Sequence, residues 1–284
     1  KSLKLNAVLA FGNVPLIALC DRIGIGKWRG SVLESTLVPG LKVIPTYHPA
    51  TILPPKCNYI NKPLIIEDLL RAEEESNYAG ITRRSRTVII RPTFDESVAI
   101  LNHCFQIGLQ GQEIAIDIEV VNEEVDCFSV GWDREKACSI PLRSSQGDYF
   151  TPDEEVQIIK LLARIIEDER ISKIGANFIF DLEFLYRKFG IRPRGNLHCT
   201  QIAQKISYPD FPAGLDFVTT MHTDIPYYKQ DGKKWMKMQS GTWETWWNYN
   251  GMDSIVPIEA HPKQLKHLEM QKNIITYDRQ RKLI

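Results

Sequence analysis

The sequence predicts an α/β fold, a mixed sheet flanked by helices, preceded by a smaller α/β segment. Three observations carry that expectation. Short apolar runs rich in β-branched residues alternate with longer amphipathic runs as far as Gly190. Helix starts and stops are written between them: Thr151 as N-cap, Pro152 at the first helical position, Glu154 closing a capping box, and Gly190 as a C-terminal stop. Carboxylates cluster near the ends of these runs, inside apolar surroundings. The 284 residues suffice for about two domains.

The elements follow in order. Residues 1–56 read as strand, helix, strand: KLNAVLAFG, NVPLIALCDRIG and LKVIPTYHP. Residues 57–86 read as linker and helix, a Pro-rich break followed by an amphipathic stretch with Ile65, Ile66, Leu69 and Leu70 as its apolar face. A second domain is expected over 87–262. There DESVAILNHCFQIG is a helix entering the strand QEIAIDIEVV, and VDCFSVGW and KACSIPL are strands about a DREK turn. A helix from Thr151, a short strand in RISKIGAN and a helix FIFDLEFLYRKFG come next. TQIAQKI, GLDFVTTMH and GTWETWWNYNGMDSIVPIEAH complete a mostly helical remainder.

Composition narrows the function classes. Lysine plus arginine equals aspartate plus glutamate at 35 each, so net charge does not announce a nucleic-acid binder. The charge is uneven, acidic over 67–76 and basic over 81–91 and 231–238, each either a solvated face or a phosphate-contacting patch. No apolar run reaches about 18 residues, so no membrane span is expected. Asn6, Gly12, Asn13 and Pro15 interrupt the apolar start and argue against a signal peptide. Six scattered cysteines without a C-x-x-C pair read as reduced core thiols, and the expected compartment is the cytoplasm. A chain that begins with Lys is expected to be a piece of something longer.

The chemistry-bearing residues fall into three groups. Asp117 and Glu119 stand two apart on a strand, hence on one face, and two like charges so close need a neutraliser. Alone, they also read as rim carboxylates facing water. Asn177 and Asp181 stand four apart, as helix neighbours, with Phe178, Phe180, Leu182, Phe184 and Leu185 around them. Asp181 then needs a cation, a proton or a hydrogen bond, and a salt bridge to Arg187 or Lys188 would serve. Glu183 reads as surface. Tyr249 and Asp253 repeat the spacing of four, with Gly251 between them where close approach of a backbone or substrate is plausible. Four carboxylates and a phenol form an oxygen-only set that suits hard cations, Mg²⁺ or Mn²⁺. Two such ions about 4 Å apart can activate water and stabilise a departing alkoxide.

In order and spacing these three motifs resemble the DEDDy class of 3′→5′ exonucleases, over about residues 87–262. The resemblance implies a ribonuclease-H-like fold, two divalent cations held by Asp117, Glu119, Asp181 and Asp253, a water oriented by Tyr249, and a terminal nucleotide contacted by Asn177. Residues 197–229 resemble the corresponding segment of proofreading domains in family A DNA polymerases, with a tyrosine-lysine tail. NIITYDRQRKLI, within 263–284, resembles the run into a polymerase module. Trp243, Trp246 and Trp247 read as core, although aromatics also stack on unpaired bases. Residues 1–56 resemble the C-terminal half of uracil-DNA glycosylases in VLAFGNVPLIAL, KWRGSVL and KVIPTYHPATIL. That resemblance makes His48, of the His-Pro loop, a DNA-contacting residue near a flipped base. Together these features imply the editing part of a phage-type polymerase acting on single-stranded DNA or a frayed primer 3′ end in the host cytoplasm, with a covalently attached polymerase module. An RNA-trimming DEDDy exonuclease and a non-catalytic module gripping primer ends are the alternatives.

Overall fold

A computed structural model describes residues 5–82, 84–229 and 242–284. The chain divides into two units, Lys1–Arg84 with Thr219–Tyr227, and Ser85–Val218 with Tyr228–Ile284. In the first unit β1 (Ala7–Phe11) pairs in parallel with β3 (Lys42–Thr46), and β2 (Leu33–Glu34) pairs antiparallel on the far side of β3. Helices α1 (Asn13–Cys20) and α2 (Ile25–Trp28) fill the connection, and α3 (Asn61–Ser76) packs on β1 and β3.

Helix α3 corrects the face expected from sequence. Asn61, Leu64, Ile65 and Asp68 are buried, whereas Ile66, Leu69 and Leu70 are exposed. The reason is a buried ion pair. Asp68 accepts hydrogen bonds from Arg29 Nε at 3.0 Å and Thr46 Oγ1 at 2.7 Å, so its side of the helix turns inward. Lys42 reaches Glu75 at 2.9 Å. Part of the acidic run over 67–76 is therefore structural pairing and not a solvated face. A charge pair in a core survives only when both ends are bonded, and a count of apolar residues does not register it.

The second unit is built on a six-stranded sheet in the order β11-β10-β5-β6-β7-β4. The strands are β4 (Thr87–Ile89), β5 (Ile114–Val121), β6 (Glu124–Gly131), β7 (Lys136–Pro141), β10 (Lys173–Gly175) and β11 (Leu197–Cys199). A small hairpin, β8 (Arg143–Ser144) with β9 (Gly147–Asp148), lies outside this sheet. Strand β6 is antiparallel to both neighbours, and the other pairings are parallel. Asn122 and Glu123 turn β5 into β6 with φ of 51° and 63°, the left-handed pair that tight hairpins use.

Helices α4 (Phe94–Leu109) and α5 (Pro152–Glu167) start on reciprocal capping boxes, Thr93–Glu96 and the expected Thr151–Glu154. Leu101, Phe105, Ile158 and Leu162 from these helices meet Ile114, Ile116 and Ile118 of β5 in the main core. Alternation along a strand sends Ala115, Asp117 and Glu119 to the other face. After α6 (Phe178–Phe189), α7 (Thr200–Ser207) and α8 (Leu215–His222, of which Thr219–His222 count with the first unit), that face is crossed by α9 (Trp243–Met270), and α10 (Ile274–Arg281) ends the unit. Helix α9 contains Pro257 and Pro262.

Trp246 and Trp247 are buried as expected, and Trp246 Nε1 donates to Asp126 Oδ2 at 2.8 Å; Trp243 is only partly buried. In the basic stretch 81–91, Arg86 pairs with Glu259 at 2.5 Å and Arg91 with Glu244 at 3.1 Å. The basic stretch 231–238 lies outside the described residues. The cysteines are free; five are buried and Cys57 is exposed. Among the described residues no helix is long and apolar enough to cross a membrane.

Candidate active site

The site forms where α9 lies on the polar face of β5. Asp117 is only 8% exposed and Glu119 is partly buried, so the rim reading does not hold for Asp117. The pair also sits within the strand and not at its end, since β5 continues to Val121 past a bulge between Glu119 and Val120. One oxygen each from Asp117, Glu119 and Asp253 lie within 4.8 Å of one another. Asp181, in the first turn of α6, joins them through the strand: its Oδ1 accepts from the Ile118 amide at 3.4 Å. The expected partners of Asp181 are engaged elsewhere, Arg187 with Glu183 at 3.5 Å and Lys188 with Glu124 at 2.5 Å. Glu183 is exposed, as read from the sequence.

Two sequence expectations need correction. Asn177 is not on the same helix face as Asp181; it is the exposed N-cap of α6, with left-handed φ 58° and no capping hydrogen bond from its side chain. At Gly251 it is a side chain that comes close: an added Cβ would meet the Val88 side chain of β4. His48 belongs to the first unit. It caps the short 3₁₀ turn Pro49–Thr51, its Nδ1 accepting from the Ala50 amide at 3.1 Å.

Burial drives the electrostatics. It pushes the Asp117 carboxyl well above the usual range, and the charge of Asp253 adds to this. Glu119 is raised by burial and then by Asp117 and Asp253, and Asp181 by burial and then by Asp117. Such a group of acids is arranged to receive positive charge. Lys229 supplies one: its Nζ donates to Asp253 Oδ2 and to the Tyr249 hydroxyl at 3.1 Å. Tyr228 donates to Asp253 Oδ1 at 2.5 Å. Burial, with Asp253 nearby, also raises the Tyr249 phenol, so it stays protonated and acts as a hydrogen-bonding group and not as a base. Trp246 stacks on its ring at 5.6 Å and 5°.

Sequence reasoning missed Asn250, Tyr228 and Lys229 as site residues. Asn250 is fully buried and donates to Asp117 Oδ2 at 2.9 Å, while its own carbonyl oxygens accept from Ser129 and Ser139. Its signal was a polar residue on the inward side of a core helix. For the other two the signal was the tyrosine-lysine tail, which spacing alone does not connect to Asp253. Lys229→Met is expected to lower the melting temperature of the metal-free protein, since removing one partner of a buried pair costs about 3–5 kcal/mol. Saturating Mn²⁺ should narrow the gap by mass action. Equal melting of variant and wild type in EDTA would remove Lys229 from this role.

The sequence model of the 3′-5′ exonuclease family matches residues 95–269, which hold all three motifs. The chain belongs to the 3′-5′ exonuclease family. The exonuclease domain is of the DEDD type, and its mixed sheet flanked by helices is the ribonuclease-H-like fold. Among solved structures, Brucella melitensis NrnC bound to pGG is similar at 20% identity and TM-score 0.51, covering 70% of this chain and 89% of that one. The catalytic core of RRP6 from Trypanosoma brucei (mutant C496S) is similar at 15% identity and TM-score 0.54, covering 72% of this chain and 53% of that one. These are likenesses of fold. No curated protein matches the chain. Exonucleases of this type use two divalent metal ions, and the oxygen-only, largely buried and mutually repelling donor set here fits them.

Proposed function

We propose that the exonuclease domain removes nucleotides one at a time from single-stranded 3′ ends, releasing nucleoside 5′-monophosphates. The observation that carries this reading is the convergence of Asp117, Glu119 and Asp253 within 4.8 Å, with Asp181 bonded to the same strand. Asp117, Glu119, Asp181 and Asp253 would hold the two ions, Mg²⁺ or Mn²⁺. When bound, these ions supply Lewis acidity at the scissile phosphate and a more acidic water. The chain's own groups do the positioning. Asn250 fixes the rotamer of Asp117, Tyr228 and Lys229 fix Asp253, and the protonated Tyr249 hydroxyl orients the attacking water. Asn177, exposed at the start of α6, is the proposed contact for the terminal nucleotide.

Two substrates have support. RNA trimming is favoured by the fold likeness to NrnC bound to pGG. DNA proofreading rests on the resemblance of residues 197–229 and 273–284 to family A polymerases, and with it goes the proposal of an attached polymerase module. On that second reading the first unit, with His48, is a DNA-holding remnant of a glycosylase fold and not an active glycosylase.

The test is digestion of matched 5′-labelled DNA and RNA oligonucleotides in Mn²⁺, with the ladder and the released monophosphates both measured. A ladder shortening from the 3′ end is expected, and the faster sugar identifies the substrate. Absence of any ladder on either substrate would overturn the catalytic reading in favour of a module that only grips ends.

A further inference from the structure

A second cluster of ligating side chains lies on the same face of the sheet, away from the four acids. Glu113 precedes β5, His198 is the middle residue of β11, and His261 projects from α9. Their candidate ligand atoms all lie within 4.8 Å of one another. Glu113 Oε2 is 3.0 Å from His261 Nδ1, and Glu113 Oε1 is 3.9 Å from His198 Nε2. Ligands around a tetrahedral zinc ion, each about 2.0–2.1 Å from the metal, are about 3.3 Å apart, so these separations need only small rotations.

The outer nitrogens make the case stronger. His198 Nδ1 and His261 Nε2, the atoms facing away from Glu113, both lie on the hydroxyl of Tyr277, at 3.1 and 3.3 Å. The phenol oxygen can accept the N–H of His198 while its O–H donates to Nε2 of His261, whose Nδ1–H points at Glu113. Nε2 of His198 is then free to ligate, and at His261 zinc would displace the Nδ1 proton that Glu113 accepts in the metal-free protein. An outer hydrogen bond that fixes the tautomer is what metal-binding imidazoles ordinarily have. Ser172 Oγ donates to Glu113 Oε1 at 3.4 Å and orients the carboxylate in the same way. His261 is 3% exposed and Tyr277 fully buried, so the cluster is not a chance meeting of surface side chains.

We propose that Glu113, His198 and His261 form a zinc site of three protein ligands with a water in the fourth position, and that Tyr277 is the outer group that orients both imidazoles. Two imidazoles and one carboxylate select Zn²⁺ over Mg²⁺ or Ca²⁺, which prefer oxygen. The site is separate from the acids: Glu113, just before β5, and Asp117 within it are four residues apart in extended chain, roughly 13 Å. The apolar cluster of Ala115, Ile174 and Ile258 includes the strand residue between them. A bound ion would tie β5, β11 and α9 together at the end of the sheet where α10 joins. It would act on stability and take no part in hydrolysis.

The experiment uses the whole chain carrying Asp117→Asn and Asp253→Asn, so that zinc cannot be retained by the catalytic acids. After EDTA treatment and buffer exchange, Zn²⁺ is titrated by calorimetry, and Co²⁺ is followed by its visible absorption. One zinc per chain, a tetrahedral cobalt spectrum and a raised melting temperature are expected. Adding Glu113→Gln, which keeps the volume and a hydrogen-bond acceptor, should weaken zinc binding about 10-fold or more. Tyr277→Phe should weaken it by about 10-fold while the ligands stay in place. No zinc bound at micromolar concentration, or binding unchanged in Glu113→Gln and in His198→Gln, would show the cluster to be a hydrogen-bond network only. Circular dichroism of each variant establishes that a loss of zinc is not a loss of fold.

Discussion

Asp117→Asn should abolish exonuclease activity, lowering kcat by about a thousand-fold or more, and should at the same time stabilise the metal-free protein. The two effects share one cause. Asp117 is placed among Glu119, Asp181 and Asp253, and burial raises its carboxyl well above the usual range. Its folded pKa therefore exceeds its unfolded one. The stabilising contribution is complete below the ordinary carboxylate range and is lost as pH rises through the raised value. At neutral pH the native protein carries that cost, and the amide does not. Asn also keeps an oxygen to accept from Asn250 Nδ2, so the 2.9 Å contact survives. Thermal unfolding in EDTA from pH 5 to pH 8 should show wild type losing stability with pH more steeply than the variant. Coincident curves would mean that Asp117 is not strained by its neighbours, and full activity would remove it from the site.

The second large effect is expected at a residue that touches no substrate. Gly131→Ala should lower kcat by about a hundred-fold while costing only about 1–3 kcal/mol of stability. A Cβ at Gly131 would lie 2.7 Å from the backbone oxygen of Ser254 and 3.0 Å from its carbonyl carbon. Neither atom belongs to a flexible side chain, so α9 has to move. Ser254 follows Asp253 directly, and Ser129 Oγ bonds Ser254 Oγ at 2.5 Å and the Asn250 carbonyl at 2.9 Å. A shift at this seat therefore displaces Asp253 and Asn250 together. The measurement is kcat beside melting temperature. A variant with wild-type kcat would show that contact with β6 does not set the position of Asp253.

Much of the site was legible because two of its spacings are consequences of regular structure. Two residues along β5 put Asp117 and Glu119 on one face, and four along α9 bring Tyr249 over Asp253. The third spacing is not a consequence of regular structure, because Asn177 is outside α6 in a left-handed conformation that no period describes. Lys229 was not legible, since its partner Asp253 is 24 residues away and only the folded chain joins them. Strands β4 and β11 have three residues each, too few to show alternation. Helix α3 was read on the wrong side because its inward face is held by the charge of Asp68. The pattern of apolar residues thus located the main core well and failed where a polar bond decides which side is in.

Pro257 gives helix α9 a further property. Proline has no amide hydrogen, so the Asp253 carbonyl lacks the bond that the next turn would normally give it. The helix's own ladder is open at the residue that has to be placed most accurately. Accuracy must then come from the side: from Tyr228 and Lys229 on the carboxylate, and from β6 pressing at Ser254. Asp253 is registered crosswise against the sheet, and not lengthwise along its helix.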